Sequence, residues 1–120
     1  MPNYVDGFVV PVPRRKLQEY RRVAAKAGKI WKEHGAIDFV ETVADDVKPG
    51  KLTSFPQAVK LKKGEVVVFS WIVYKSRKQR DAVNKKVMAD PRMNDMMDMN
   101  NMPFDGKRMI YGGFKVLVQG

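Results

Sequence analysis

A chain of 120 residues suffices for one domain with an apolar core and needs no covalent staple. It contains no cysteine, which excludes disulfides, a thiolate nucleophile and thiolate-bound zinc, and fits a reducing compartment. The formal charge of +10 comes from 23 Lys and Arg scattered among 13 Asp and Glu, so a solvated basic surface is the stronger reading and a nucleic-acid partner the weaker one.

The first residues, M-P-N-Y-V-D-G, lack the basic-then-apolar layout of a signal peptide, and no later stretch approaches the roughly 20 apolar residues of a membrane span. The expectation is a cytoplasmic protein with no membrane partner. Tyr4–Val12 alternates as a strand, and Pro11 and Pro13 should end it, because proline removes a ladder donor and fixes φ. From about Arg14 to His34 the period becomes helical. Leu17, Tyr20, Ala24, Ala27 and Trp31 recur at spacings of three and four, and the basic residues Arg15, Arg22, Lys26 and Lys29 take the other side. Gly35 sits where a left-handed C-terminal cap is wanted.

Ala36–Asp45 reads as a second strand, with Phe39, Glu41 and Val43 alternating against Asp38, Val40 and Thr42. Residues 46–64 contain Pro49-Gly50, Pro56 and Lys63-Gly64, which predicts a long surface excursion with a short helical turn near Pro56–Val59. Val66–Ser76 (V-V-V-F-S-W-I-V-Y-K-S) is the longest apolar run and is apolar on both alternating faces, as expected of a central strand covered on both sides. Ser76-Arg77-Lys78-Gln79 has capping-box spacing, so a second helix should begin at 77 and stop near Ala89, before Asp90-Pro91. A methionine-rich stretch follows, with Met93, Met96, Met97, Met99 and Met102. Met109–Val118 is the last strand, in which Gly112-Gly113 suggests a bulge or a close backbone approach.

The order β-α-β-β-α-β, without an internal repeat or a compositional break, predicts a single α+β domain over residues 1–120. That domain is ferredoxin-like, with a four-stranded antiparallel sheet and both helices on one face. The other face of the central strand then needs a cover, and a second copy of the chain is the simplest one.

Y-V-D-G-F-V-V-P-V-P at 4–13, F-S-W-I-V-Y-K-S-R at 69–77 and M-P-F-D-G-K-R-M-I-Y-G-G-F at 102–114 resemble the YbaA-like family of small bacterial proteins, over essentially the whole length. The resemblance implies a dimeric α+β barrel, in which ferredoxin-like domains pair sheet to sheet. Relatives in that superfamily act on small organic molecules.

The candidate site residues follow from chemistry. Asp6 and Glu41 interrupt core-like strands, where an unpaired buried carboxylate is costly and has its pKa raised. Each is either a paired structural group or a general base. His34 is the sole histidine, which excludes a triad or a multi-histidine metal site; it either caps the first helix or orients an anionic group. Trp31, Trp71, Tyr74 and Tyr111 are candidate apolar walls of a ligand pocket, and Arg108, in the turn D-G-K-R, is a candidate anion contact. The methionines read as an adaptable cover rather than as Cu(I) ligands. No cofactor and no metal are expected. Three functional classes remain: a homodimer that binds or converts a small organic molecule between sheet and helices, a basic nucleic-acid-associated protein, and a structural or regulatory dimer with no ligand.

Overall fold

The computed structural model describes residues 3–96 and 102–120. Its strands are β1 (Tyr4–Pro13), β2 (Asp38–Val43), β3 (Glu65–Tyr74) and β4 (Ile110–Lys115). They form one antiparallel sheet in the order β2-β3-β1-β4. The helices are α1 (Leu17–Glu33), α2 (Phe55–Ala58), α3 (Arg77–Ala89) and α4 (Pro91–Met96), with a 3-10 turn at Arg14–Lys16 leading into α1. This is the ferredoxin-like α+β arrangement expected from the change of hydrophobic period.

The apolar run does lie at the centre of the sheet, between β2 and β1. Cross-strand partners share a face, so the register places Tyr4, Asp6, Phe8 and Val10 of β1 beside Tyr74, Ile72, Ser70 and Val68 of β3. This face meets the helices: Tyr4, Ile72 and Tyr74 pack with Ile30 of α1 and Val83 and Val87 of α3. The opposite face carries Val5, Gly7 and Val9 of β1, Val67, Phe69, Trp71 and Val73 of β3, Val40 of β2, and Ile110 and Phe114 of β4. Among the described residues its Val9–Val67 end is covered within the chain, by Val59 and Leu61 from the long excursion. Phe55 of α2 leans on Phe69 at 5.7 Å between ring centroids, and Phe69 on Trp71 at 5.6 Å.

One expectation needs correction. β1 ends at Pro13 as expected, but Pro11 does not end it; it lies within the strand, opposite Val67. The amide of Arg14 bonds the Gly64 carbonyl on the β3 side, so the prolines' nitrogens, one and three residues earlier, face the β4 side. There, among the described residues, β1 has no strand partner beyond Val9, and a missing donor costs nothing. In α1 the buried residues are Ala24, Gly28 and Ile30, and the half-buried Leu17, Tyr20 and Trp31 of the apolar stripe pack against the core as expected. A Cβ at Gly28 would lie 2.6 Å from Cδ1 of Phe39, so glycine lets the helix sit directly on β2.

The caps follow sequence closely. Gly35 has φ +119°. The Ser76 hydroxyl accepts from the Gln79 amide at 3.1 Å. The Gln79 side chain reaches one residue beyond the box, accepting from the Lys75 amide at 2.5 Å and donating to the Gly35 carbonyl at 3.1 Å, which ties α3 to the end of α1. Asp90-Pro91 ends α3 as expected and also starts α4: the Arg92 amide donates to Asp90 Oδ1 at 2.9 Å, with proline at the first helical position. Met93 is buried and Met96 half-buried; Met97 and Met99 lie outside the described residues.

Candidate functional site

The sequence singles out two strand carboxyls, and the fold separates them. Glu41 stands on edge strand β2 and faces an open cleft of about 570 Å³ between α1 and β2, a volume in the range of small-molecule sites. Leu17, Ala24, Gly28, Phe39, Val43 and Val68 form its apolar walls, with Arg21 and Lys32 at the exposed rim.

The Glu41 carboxyl accepts the Tyr20 hydroxyl at 2.6 Å and is hydrogen-bonded by Ser70, its cross-strand neighbour. Burial pushes its pKa above the ordinary carboxyl range, and the bonds from Tyr20 and Ser70 only partly oppose that shift. Tyr20 is held protonated well above the usual phenol range by its own burial and by the adjacent carboxylate. The pair is a proton-accepting oxygen and a fixed hydroxyl donor at the base of an apolar cleft, which suits binding a polar group or removing a proton from a bound molecule.

Asp6 lies instead in a buried network under α3. Nη1 of Arg80 stands 3.3 Å from its Oδ1, and Asn84 and the Tyr74 hydroxyl stand beside its carboxylate. Asn84 Oδ1 accepts from Trp31 Nε1 at 3.1 Å and from the Tyr74 hydroxyl at 3.2 Å. Arg80 donates to the Tyr4 hydroxyl at 3.0 Å and lies 5.1 Å from the centre of the Tyr4 ring. The Asp6 pKa is raised because burial outweighs the attraction of Arg80. Tyr4 in turn occupies the space over Gly113, where a Cβ would come 2.2 Å from its hydroxyl oxygen. The glycine pair therefore marks a close approach.

The other candidates scatter. Trp31 and Tyr74 join the Asp6 network, and Trp31 also packs on Phe39 at 5.9 Å. His34 Nε2 is 2.8 Å from Asp90 Oδ2, and Arg92 bridges Asp90 and Glu33. Together Arg92 and His34 hold Asp90 far below the usual carboxyl range. Arg108 makes a two-pronged pair with Glu65 at 2.7 and 2.6 Å and another bond to Asp105 at 2.8 Å, away from both carboxyl sites. Trp71 is on the opposite face of the sheet from Asp6 and Glu41. Tyr111 sits on the edge strand β4, 71% exposed, with its ring 6.1 Å from Phe8. Among the described residues no group of three or more His, Asp or Glu is placed to hold a metal.

Sequence reasoning missed Tyr20, Ser70, Arg80 and Asn84 as polar partners. For the α3 pair a signal was present. Residues 80, 83, 84 and 87 follow the i, i+3, i+4, i+7 spacing of one helix face, so Arg80 and Asn84 share the buried side of Val83 and Val87. Tyr20 and Glu41 are 21 residues apart and have no local signature.

Comparison with known proteins now adds to this geometry. Residues 3–106 match the model of a family described as "Protein of unknown function (DUF1428)". The chain is 56% identical over 116 residues to "Uncharacterized protein YbaA" of Escherichia coli K12, covering 97% of each, and equally so to that of Shigella flexneri. Among solved structures it is similar to a dimeric ferredoxin-like protein from an uncultured marine organism, with a TM-score of 0.68 at 11% identity and all of both chains covered. A NIPSNAP family protein of unknown function from Agrobacterium tumefaciens gives 0.56 at 14% identity, covering 95% of this chain and 87% of that one.

Proposed function

The chain belongs to the DUF1428, YbaA-like family, and from its geometry we propose a homodimer that binds a small organic molecule in the cleft between α1 and β2, with Glu41 as the proton-accepting group. The observation that carries this reading is the Glu41 environment. A carboxyl with a raised pKa and no cationic partner faces an apolar cleft with basic side chains at its rim, an arrangement that destabilises the empty protein and favours a ligand able to engage it. Asp6, by contrast, has the Arg80 guanidinium 3.3 Å from its Oδ1 and Asn84 beside it, which suits a structural group.

The dimer rests on the uncovered face. Phe69, Trp71, Val73, Val40, Val5, Ile110 and Phe114 make a broad apolar surface with no Lys or Arg among those strand positions. A second copy fits such a face, whereas nucleic acid would need cations beside the aromatic rings. The relative described as a dimeric ferredoxin-like protein is in line with that pairing.

The test is a thermal-shift screen of small aromatic and aliphatic acids, amines and neutral compounds against three proteins: the unchanged chain, Glu41→Gln, and Ala25→Trp, which fills the cleft from an exposed position on its lining. A compound at 100 times its Kd stabilises by about 2.7 kcal/mol. Compounds that stabilise the unchanged chain should lose their effect in Ala25→Trp and weaken in Glu41→Gln. If every compound that binds does so equally well to all three, the cleft is not the site.

A further inference from the structure

We infer that the molecule taken up by the Glu41 cleft is a small apolar carboxylic acid carrying a hydrogen-bond donor, with its carboxylate on Arg21 at the rim and its donor on Glu41 at the base. The inference rests on the cleft reading proposed above and adds to it the class and the orientation of the ligand.

Helix α1 lines the cleft with two rows of side chains, each at the spacing of one helix face. Leu17, Tyr20, Ala24 and Gly28 form the inner row, toward the sheet. Gln18, Arg21, Ala25 and Lys32 form the outer row, and all four are exposed. The small side chain of Ala25, between the two cations, leaves the gap through which the cleft opens.

Charge sets the class of the ligand. Two cations and one carboxylate line the cleft, and Tyr20, the remaining ionisable group, is held protonated. Among the described residues neither Arg21 nor Lys32 forms an ion pair, and no cation offsets the burial of Glu41. The positive charge at the rim is therefore uncommitted. With Glu41 ionised the cleft keeps one positive charge in excess, which a monoanion cancels; an amine would add to the excess, and a dianion would reverse it. Apolar walls of low dielectric also concentrate ions of the opposite sign at such a mouth.

Position sets the orientation. Along the cleft Gly28 lies on Phe39 and Tyr20 on Glu41, so α1 runs antiparallel to β2. Arg21 follows Tyr20 and stands at the Glu41 end. Lys32 comes eleven residues later, roughly 16 Å along the helix, at the Phe39 end. A small molecule that touches Glu41 thus has Arg21 within reach, and the planar guanidinium fork fits a carboxylate. Its apolar body then lies against Ala24 and Phe39. An ionised Glu41 has lone pairs beyond the one that accepts the Tyr20 hydroxyl at 2.6 Å, so it can also accept a donor from the ligand.

Titration calorimetry with four matched compounds tests this: 4-hydroxyphenylacetate, its amide, the corresponding amine tyramine, and phenylacetate. The hydroxy acid should bind about tenfold more tightly than the amide or the amine, the worth of one charge-assisted contact, and more tightly than phenylacetate, which lacks the donor. Arg21→Gln should bring the hydroxy acid down to the affinity of the amide and leave the amide unchanged. Arg22→Gln removes the same charge from an exposed position outside the cleft lining and should leave the preference for the acid intact. If the amide or the amine binds as well as the acid, and Ala25→Trp abolishes that binding, the cleft stands and the anionic class is wrong. Equal losses in Arg21→Gln and Arg22→Gln would assign the effect to the basic surface as a whole and overturn the Arg21 contact. Failure of all four compounds to bind at millimolar concentration overturns this ligand class, while the wider screen still judges the cleft. Binding of the acid that survives Ala25→Trp unchanged lies outside the cleft and overturns this inference and the proposed function together.

Discussion

Replacing Glu41 by glutamine tests the cleft chemistry without any ligand. Glutamine keeps the shape and an acceptor for the Tyr20 hydroxyl, 2.6 Å away in the structure, and its amide can donate to Ser70. Near pH 4 the two proteins should therefore differ by no more than about 1 kcal/mol, the net worth of one neutral hydrogen bond. Burial raises the folded-state pKa of Glu41 above 4.5, so between the unfolded and folded pKa values the native protein holds a proton that the unfolded chain has released. In that window the contribution of Glu41 to stability falls as pH rises, by about 1.4 kcal/mol per pH unit at most. Above the folded pKa the loss is complete and the curve is flat. Other carboxyls act in the opposite sense. Asp90, Glu65, Asp105 and Glu33 have lowered pKa values and lose their stabilisation as pH falls, so only the difference between the two proteins isolates Glu41. Urea denaturation of both from pH 4 to pH 9 should show Glu41→Gln gaining on the unchanged chain above about pH 4.5 and then levelling, and the levelling point reads the Glu41 pKa. A flat difference, or one that favours glutamate as pH rises, would mean that Glu41 is a well-partnered carboxylate, and the argument for the cleft would fail.

Other perturbations follow from the same geometry. Arg80→Met strands Asp6 in the core and should cost about 3 kcal/mol in urea denaturation, much of it recovered in Arg80→Met/Asp6→Asn. Gly113→Ala drives a methyl against the Tyr4 hydroxyl and should cost about 2 kcal/mol, with partial recovery when Tyr4→Phe removes the clashing oxygen. Trp71→Glu places a charge on the uncovered sheet face, outside the helix-side core, so sedimentation should give a monomer that keeps its far-ultraviolet circular dichroism. Single-stranded RNA should bind weakly, without regard to sequence, and should be released as salt rises toward physiological strength; retention of one sequence over others at that salt would bring nucleic acid to the front.

The fold could be read from the chain because its signals are local. The period change at Arg14, the Ser76 cap and the two-faced run at 66–74 each specify an element without reference to distant residues. Pro11 misled because its tolerance depends on which neighbour strand stops short, a fact that lies far along the chain at Ile110. Asp6 and Glu41 were legible as carboxyls in apolar strands, but their surroundings were not. Arg80 reaches Asp6 from α3, and Tyr20 reaches Glu41 from α1, through packing that a pattern along one segment does not encode. Arg108 looked available in its turn, yet Glu65 and Asp105 occupy it on both sides. α4 was missed because Asp90-Pro91 was read only as a stop, although an N-cap followed by proline is also a start.

The two carboxyls differ in a way that favours Glu41 over Asp6 as the proposed proton acceptor. A buried acid that serves structure alone gains by having a cation, and Asp6 has one: Arg80 stands beside it with Asn84 close by, and Tyr4 and Trp31 hold those partners in turn. Glu41 has two hydroxyls and no cation, on an edge strand where exposure to solvent would have been available with a different rotation of α1. Gly28 enforces the opposite. By letting α1 sit on Phe39 it keeps Glu41 under the helix, against apolar walls, where its ionised form is disfavoured. Gly28→Ala separates helix propensity from this packing: alanine gains about 1 kcal/mol in a helix, while a Cβ 2.6 Å from the Phe39 ring costs about 1–3 kcal/mol if the helix must lift. A net loss of stability in urea denaturation, together with a Glu41 pKa that moves back toward 4.5 when titrated by side-chain carboxyl NMR, is the expected result. A stabilised variant with an unmoved Glu41 pKa would show that the close approach of α1 is incidental and that the environment of Glu41 has another origin.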